Sequence, residues 1–101
     1  MKTYYVYMLQ CFDGTFYVGV SGEIERRLYQ HQEGAFETCY TFMRRPLRLV
    51  YVGEFEWVNE AIAFEKKLKS WSHKKKRAFA QREWANLTRY SRGPDRVSSR
   101  A

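Results

Sequence analysis

Hydrophobic and aromatic residues form two short extended runs at the start of the chain. Residues 3–10 (TYYVYMLQ) and residues 15–20 (TFYVGV) are rich in β-branched and aromatic side chains, and Asp13-Gly14 lies between them. Such runs are typical of strands, and an Asp-Gly pair between two of them is typical of a tight turn. The pattern predicts a β-hairpin over residues 3–20.

The apolar spacing becomes helical after the hairpin. Ile24, Leu28 and His31 share one helical face, and Gly34 is a natural stop for that helix. Residues 35–45 have no clear period, which predicts a loop.

Beyond Pro46 the chain predicts one more strand and two more helices. LRLVYVG at residues 47–53 is apolar enough for a strand that is buried on at least one face. Helices over residues 59–71 and 73–86, the second capped by Ser72, complete the order β-β-α-β-α-α. This order predicts an α+β domain with a small three-stranded, mainly antiparallel sheet flanked by helices. The apolar stripe of the helix over 59–71 consists of Ala61, Phe64, Leu68 and Trp71, with Trp57 as an extension.

The 101 residues are enough for one domain, which we assign to residues 1–87. Residues 88–101 lose the apolar pattern and hold four arginines, so we expect a basic, flexible tail there. Cys11 and Cys39 are too few for a disulfide scaffold and lack metal-ligand spacing. With no apolar run long enough for a signal peptide or a membrane span, we expect a cytoplasmic protein with reduced thiols.

Basic residues outnumber acidic ones, with eighteen Lys and Arg against eleven Asp and Glu and a net charge of +7. This surplus favours an anionic partner, because each cation that meets a phosphate releases condensed counterions. The same charge would also serve solubility alone, and composition does not choose between the two. The candidate nucleic-acid-binding residues are Arg26, Arg44, Arg45, Lys69, Lys74, Lys75 and Lys76.

Three groups of residues carry candidate chemistry. Tyr7 and Tyr17 belong to the tyrosine-rich hairpin, where packing is the ordinary explanation. Arg27 and His31 are four residues apart and therefore neighbours on one helix, although a helix-surface pair would have the same spacing. Glu65 borders the apolar stripe of its helix, either as a metal ligand or as the ion-pair partner of a lysine one turn on.

Considered together, these residues resemble the GIY-YIG nuclease superfamily from Thr3 to Glu65. Residues 5–7 (YVY) stand in place of Gly-Ile-Tyr, and residues 17–19 (YVG) stand in place of Tyr-Ile-Gly. Arg27 occupies the position of the family's catalytic arginine, and Glu65 that of its metal-binding glutamate. Tyr40-Thr41 followed by residues 44–46 (RRP) is similar to the short, single-domain bacterial branch, the UPF0213-like proteins.

The resemblance implies a metal-dependent endonuclease that hydrolyses phosphodiester bonds. Glu65 would hold one divalent ion, Mg²⁺ with Mn²⁺ as the alternative. Arg27 would grip the scissile phosphate, and Tyr17 would orient or deprotonate the attacking water. Tyr7 would hydrogen bond the water or phosphate, and His31 would accept a proton from Tyr17 or contact the phosphate.

The nucleic acid is expected to be DNA rather than RNA, in repair or processing, with structure-specific cleavage left open and a monomer assumed. Two alternatives keep the fold. One is a catalytically weak or inactive nucleic-acid-binding module, and the other is a protein-interaction domain whose charge is incidental.

The catalytic assignment requires Tyr7 and Tyr17 to lie on the same face of the sheet. A two-residue loop at Asp13-Gly14 would place residue 10 opposite residue 17 and send Tyr7 to the other face. A three-residue loop from Phe12 to Gly14 pairs residue 9 with 17 and residue 7 with 19, which makes the tyrosines diagonal neighbours on one face. Gly14 suits the left-handed position of such a loop, so we predict an odd-length loop.

Overall fold

The computed structural model describes residues 2–90, with the backbone alone for residues 84–90. Three strands and three α-helices follow in the predicted order, and a single 3₁₀ turn interrupts the loop before the third strand. The predicted α+β class is therefore confirmed. The elements are β1 (Tyr4–Gln10), β2 (Phe16–Ser21), α1 (Ile24–Glu33), the 3₁₀ turn Phe42–Arg44, β3 (Arg48–Phe55), α2 (Val58–Lys69) and α3 (His73–Tyr90).

The sheet is antiparallel throughout, with strand order β2-β1-β3. Leu9 pairs with Tyr17, so residue 7 lies opposite residue 19, as the sequence predicts. The Cys11 N–H donates to the Thr15 carbonyl at 2.8 Å, which leaves three residues in the loop. Gly14 has φ 87°, a left-handed conformation that glycine adopts without a Cβ penalty. The predicted odd-length loop is confirmed.

Helices cover both faces of the sheet. The β1 side chains alternate, so that Val6 and Met8 pack with α2 and α3, whereas Tyr7 and Leu9 face α1. The predicted stripe packs in the first of these clusters, with Ala61 and Leu68 buried and Phe64 and Trp71 partly buried. Helix α2 ends at Lys69, before the predicted end at residue 71. Trp57 is 58 % exposed, so the predicted extension of the stripe is wrong. Its backbone is extended just before the helix begins, and its side chain therefore does not follow the helical period.

The predicted helix ends are partly confirmed. Gly34 ends α1 with φ 76°, and the Ser72 hydroxyl accepts a hydrogen bond from the Lys75 N–H at 3.2 Å at the start of α3. Helix α3 continues to Tyr90, past its predicted end at residue 86, because backbone hydrogen bonds propagate a helix without apolar side chains. Of the predicted tail, residues 88–90 are helical and residues 91–101 lie outside the described residues. Within the described part of the chain, no helix is long and apolar enough to cross a bilayer.

Candidate active site

The two hairpin tyrosines lie side by side on the α1 face of the sheet. Their ring centroids are 6.4 Å apart with an interplanar angle of 45°. Tyr7 is completely buried, and its ring lies directly over Gly19 on the neighbouring strand. A Cβ at Gly19 would overlap the hydroxyl and Cζ of Tyr7. Glycine at this position therefore allows the tyrosine to lie across β2.

His31 reaches both tyrosines from the last turn of α1. Its side chain is buried, with Nε2 2.8 Å from the Tyr7 hydroxyl and the ring centroid 5.3 Å from that of Tyr17. The sequence-based hypothesis placed His31 against Tyr17 or the phosphate, whereas its hydrogen bond is with Tyr7. The Tyr17 hydroxyl interacts instead with Cys39, and each group shifts the pKa of the other, so the two phenols have different neighbours.

Arg27 lies one turn before His31, half-buried beside the same tyrosines. Its charge lowers the pKa of the neighbouring Tyr7 hydroxyl, and its Cζ is 5.6 Å from the centroid of the Phe36 ring. No carboxylate of the described residues forms an ion pair with Arg27. Its positive charge is thus available to an anion, and its planar fork of donors suits two phosphate oxygens. Arg26, the next residue, points to solvent and pairs with Glu23 at 3.1 Å.

Burial determines the protonation states in this site. It raises the pKa of Tyr7 and, together with the neighbouring Tyr7 phenol, that of Tyr17, while Arg27 offsets part of both effects. Burial and the Arg27 charge lower the pKa of His31 to about 4. At neutral pH both phenols are protonated and the imidazole is uncharged. A base role for Tyr17 therefore requires positive charge beyond that of Arg27.

Glu65 lies on α2 with 12 % of its side chain exposed, and its Oε2 is 2.6 Å from Nζ of Lys69. Its charge contributes to the raised pKa of Tyr7, so the carboxylate lies within electrostatic range of the tyrosine site. No three His, Cys, Asp or Glu side chains gather around a possible ion in the described part of the chain. A lone carboxylate fits Mg²⁺ or Mn²⁺, which take water and substrate oxygens as further ligands, and does not fit a closed zinc site.

Two of the predicted phosphate-binding arginines make contacts within the protein. Arg44 pairs with Asp13 at 3.1 Å, and its Cζ lies 3.8 Å from the centroid of the Tyr40 ring. Arg45 donates from Nε to the Phe42 carbonyl at 2.9 Å. Both side chains therefore hold the loop before β3 in place, and Arg44 ties it to the hairpin turn.

The lysines at the start of α3 make fewer contacts within the protein. Lys74 and Lys75 are exposed, whereas Lys76 is half-buried. Lys75 places its Nζ 4.3 Å from the centroid of the Trp71 ring. These lysines form a basic surface on the side of the sheet opposite α1.

Two residues of the site were not predicted from the sequence as site residues, because both belong to the loop before β3. Thr41 is only 1 % exposed, and its hydroxyl lies 3.1 Å from Nδ1 of His31. Cys39 accepts a hydrogen bond from that hydroxyl at 3.4 Å. The loop has no hydrophobic period, so only the folded chain shows that it closes over His31.

Comparison with known proteins agrees with this architecture. The family model of the GIY-YIG catalytic domain matches residues 3–78. The chain is 38 % identical over 76 residues to a UPF0213 protein of Staphylococcus saprophyticus, which covers 75 % of this chain and 92 % of that protein. It is also 38 % identical over 73 residues to a UPF0213 protein of Bacillus pumilus, covering 72 % and 74 %.

Two solution NMR structures are similar to the fold. One is a UPF0213 protein from Bacillus halodurans, with a TM-score of 0.56, 30 % identity and coverage of 97 % of this chain and 99 % of that chain. The other is a protein from E. faecalis, with a TM-score of 0.53, 28 % identity and coverage of 99 % and 97 %.

Proposed function

Because this chain belongs to the GIY-YIG catalytic domain family, we propose that it is a metal-dependent endonuclease that hydrolyses phosphodiester bonds in nucleic acid. Its nuclease-like fold follows from the family. The observation that carries the step to activity is the cluster of Tyr7, Tyr17, His31 and Arg27, with 6.4 Å between the tyrosine rings and no carboxylate of the described residues paired with the guanidinium.

The proposed roles follow from the chemistry of each group. Arg27 binds the scissile phosphate, since its guanidinium stays charged at any physiological pH. Glu65 would hold one Mg²⁺ or Mn²⁺ through its carboxylate, in place of its ion pair with Lys69. The chemistry supplied by a bound ion is stabilisation of charge on the phosphate and the leaving oxygen. Tyr17 orients the attacking water. Tyr7 is completely buried in the free protein, so its contact with the water or phosphate requires the substrate to displace the side chains that cover its hydroxyl.

The proposed substrate is DNA rather than RNA, and the net charge of +7 supports a polyanionic partner. We also propose that the strand structure of the DNA directs cleavage and that the protein acts in DNA repair or processing. Cys11 and Cys39 are free thiols, which supports a reducing, cytoplasmic location.

The test is a cleavage assay on labelled single-stranded, double-stranded and branched DNA, with matched RNA substrates. Each is incubated with Mg²⁺, Mn²⁺ or a chelator. We expect metal-dependent products from the wild type and a loss of at least about a hundredfold in Glu65→Gln. Glu60→Gln is the matched control, because Glu60 is an exposed glutamate on the same helix. Equal cleavage by Glu65→Gln and wild type would remove Glu65 from the mechanism.

One observation favours the second candidate, a nucleic-acid-binding module without turnover. The Lys69 ammonium, 2.6 Å from Glu65, already neutralises the carboxylate that the metal needs. A module of this kind would retain DNA on a gel, release no products under any metal, and bind less tightly as salt rises. Binding that is insensitive to salt would instead indicate a protein-interaction domain.

A further inference from the structure

A buried chain of hydrogen bonds runs from Tyr7 away from the sheet. The Tyr7 hydroxyl is 2.8 Å from Nε2 of His31, and Nδ1 of His31 is 3.1 Å from Oγ1 of Thr41. Oγ1 of Thr41 then donates to Sγ of Cys39 at 3.4 Å. Tyr7, His31 and Thr41 are each at most 3 % exposed, so solvent cannot replace these partners.

The direction of each bond follows from the number of hydrogens. Thr41 has one hydroxyl hydrogen and gives it to Cys39, so its oxygen must accept from Nδ1–H of His31. A neutral imidazole with hydrogen on Nδ1 has a lone pair on Nε2, which accepts the hydroxyl hydrogen of Tyr7.

Arg27 supports the same direction from the other end. Its guanidinium, which has only donors, lies within interaction range of the Tyr7 hydroxyl, so any hydrogen bond between the two groups has Arg27 as its donor. The Tyr7 hydrogen is then free to point at Nε2 of His31. A doubly protonated imidazole, which would reverse that bond, is excluded at neutral pH because burial and Arg27 lower the pKa of His31 to about 4.

We propose that Thr41, with Cys39 behind it, is a positioning residue that holds His31 as the Nδ1–H tautomer with its Nε2 lone pair aimed at Tyr7. The Tyr7 oxygen then keeps its lone pairs on the side of Arg27, where a water or phosphate would be bound. Thr41 acts through His31 and touches neither the water nor the phosphate. The effect on cleavage rests on the proposed nuclease function, whereas the tautomer of His31 does not.

The protein contains two histidines, and each is a reference for the other. Nε2 of His73 is 2.9 Å from the Gly14 carbonyl, which only accepts, so His73 must carry its hydrogen on Nε2. Long-range ¹H–¹⁵N correlation spectra of the labelled protein at pH 7, without substrate, report which ring nitrogen is protonated. We expect opposite tautomers for the two rings, assigned with His73→Gln.

Variants of the loop test the cause. Thr41→Val removes the acceptor for Nδ1–H, so the His31 signals should shift toward the Nε2–H tautomer or a mixture, while Thr41→Ser should retain the wild-type spectrum. Thr38→Val is the matched control, because Thr38 is exposed in the same loop. Cys39→Ala keeps the Thr41 hydroxyl but removes the acceptor of its hydrogen, so it should also mix the His31 tautomers. This variant provides the test if Thr41→Val does not fold.

Cleavage provides the second measurement. Thr41→Val should reduce kcat by about tenfold to a hundredfold, the usual loss when a group that orients a functional histidine is removed, and Thr41→Ser should restore it. An Nε2–H tautomer of His31 in the wild type, or a tautomer unchanged in both Thr41→Val and Cys39→Ala, would overturn the proposal. Wild-type protein that cleaves no substrate but shows the expected tautomers would refute the nuclease function and leave the positioning role supported.

Discussion

Gly19→Ala adds one methyl group at the point where Tyr7 crosses β2. The strand is extended, and an alanine would fit it well if the space above were empty. That space holds the hydroxyl and Cζ of Tyr7, which an added Cβ would overlap. Tyr7 is completely buried, so its ring can move aside only by disturbing its neighbours and its 2.8 Å bond to His31.

The expected loss of stability is the sum of three contributions. Overpacking a buried site costs about 1–3 kcal/mol, and a buried hydrogen bond left unmade costs about another 1–3 kcal/mol. Replacing a glycine within a strand returns about 0.5–1 kcal/mol of backbone entropy. The net effect is about 3 kcal/mol, or about 12–24 °C in the melting temperature of a domain of this size.

Urea and thermal unfolding of four proteins measure this contribution: wild type, Gly19→Ala, Tyr7→Ala and the double variant. In the Tyr7→Ala background the added methyl meets open space, so Gly19→Ala should stabilise the protein by about 0.5–1 kcal/mol there. The coupling energy between the two positions is then about 4 kcal/mol, the sum of the overpacking and hydrogen-bond contributions. An equal cost of Gly19→Ala in both backgrounds would show that the close approach of Tyr7 is not the reason for the glycine.

Three further predictions follow from charges. His31 has a pKa of about 4 when folded and 6.5 when free, so its contribution of about 3 kcal/mol to the free energy of unfolding is complete above pH 6.5 and is lost as pH falls toward 4. The difference in unfolding free energy between wild type and His31→Gln should fall over that range, and a difference that does not change with pH would contradict this. Lys69→Met frees Glu65 and should lower the Mg²⁺ concentration for half-maximal cleavage about two- to fivefold; an unchanged Mg²⁺ requirement with weaker DNA binding would make Lys69 a phosphate contact instead. Replacing the lysines at 74–76 with glutamine should reduce the slope of log K against log salt by about 0.7–0.9 per lost contact, and an unchanged slope would place the nucleic acid elsewhere.

Local patterns in the sequence were sufficient for the elements, and the family resemblance supplied the requirement that selected the hairpin register. Period-two and helical spacings are properties of neighbouring residues, and one requirement, that two tyrosines share a face, was enough to select the odd-length loop that pairs Leu9 with Tyr17. The inward position of His31 also followed from its place beside Ile24 and Leu28. Trp57 was mispredicted, because a helical wheel does not show where the helix begins.

The partners within the site depended on tertiary structure. Whether His31 bonds to Tyr7 or Tyr17 is decided by the loop before β3, which brings Thr41 and Cys39 against the imidazole and the second phenol. Arg44 looked like a free cation in the sequence, but the fold brings Asp13 to it from a position 31 residues away. A loop without hydrophobic periodicity gives no pattern from which its contacts could be predicted. Contacts between distant segments exist only after the chain has folded, and so does the burial that shifts each pKa.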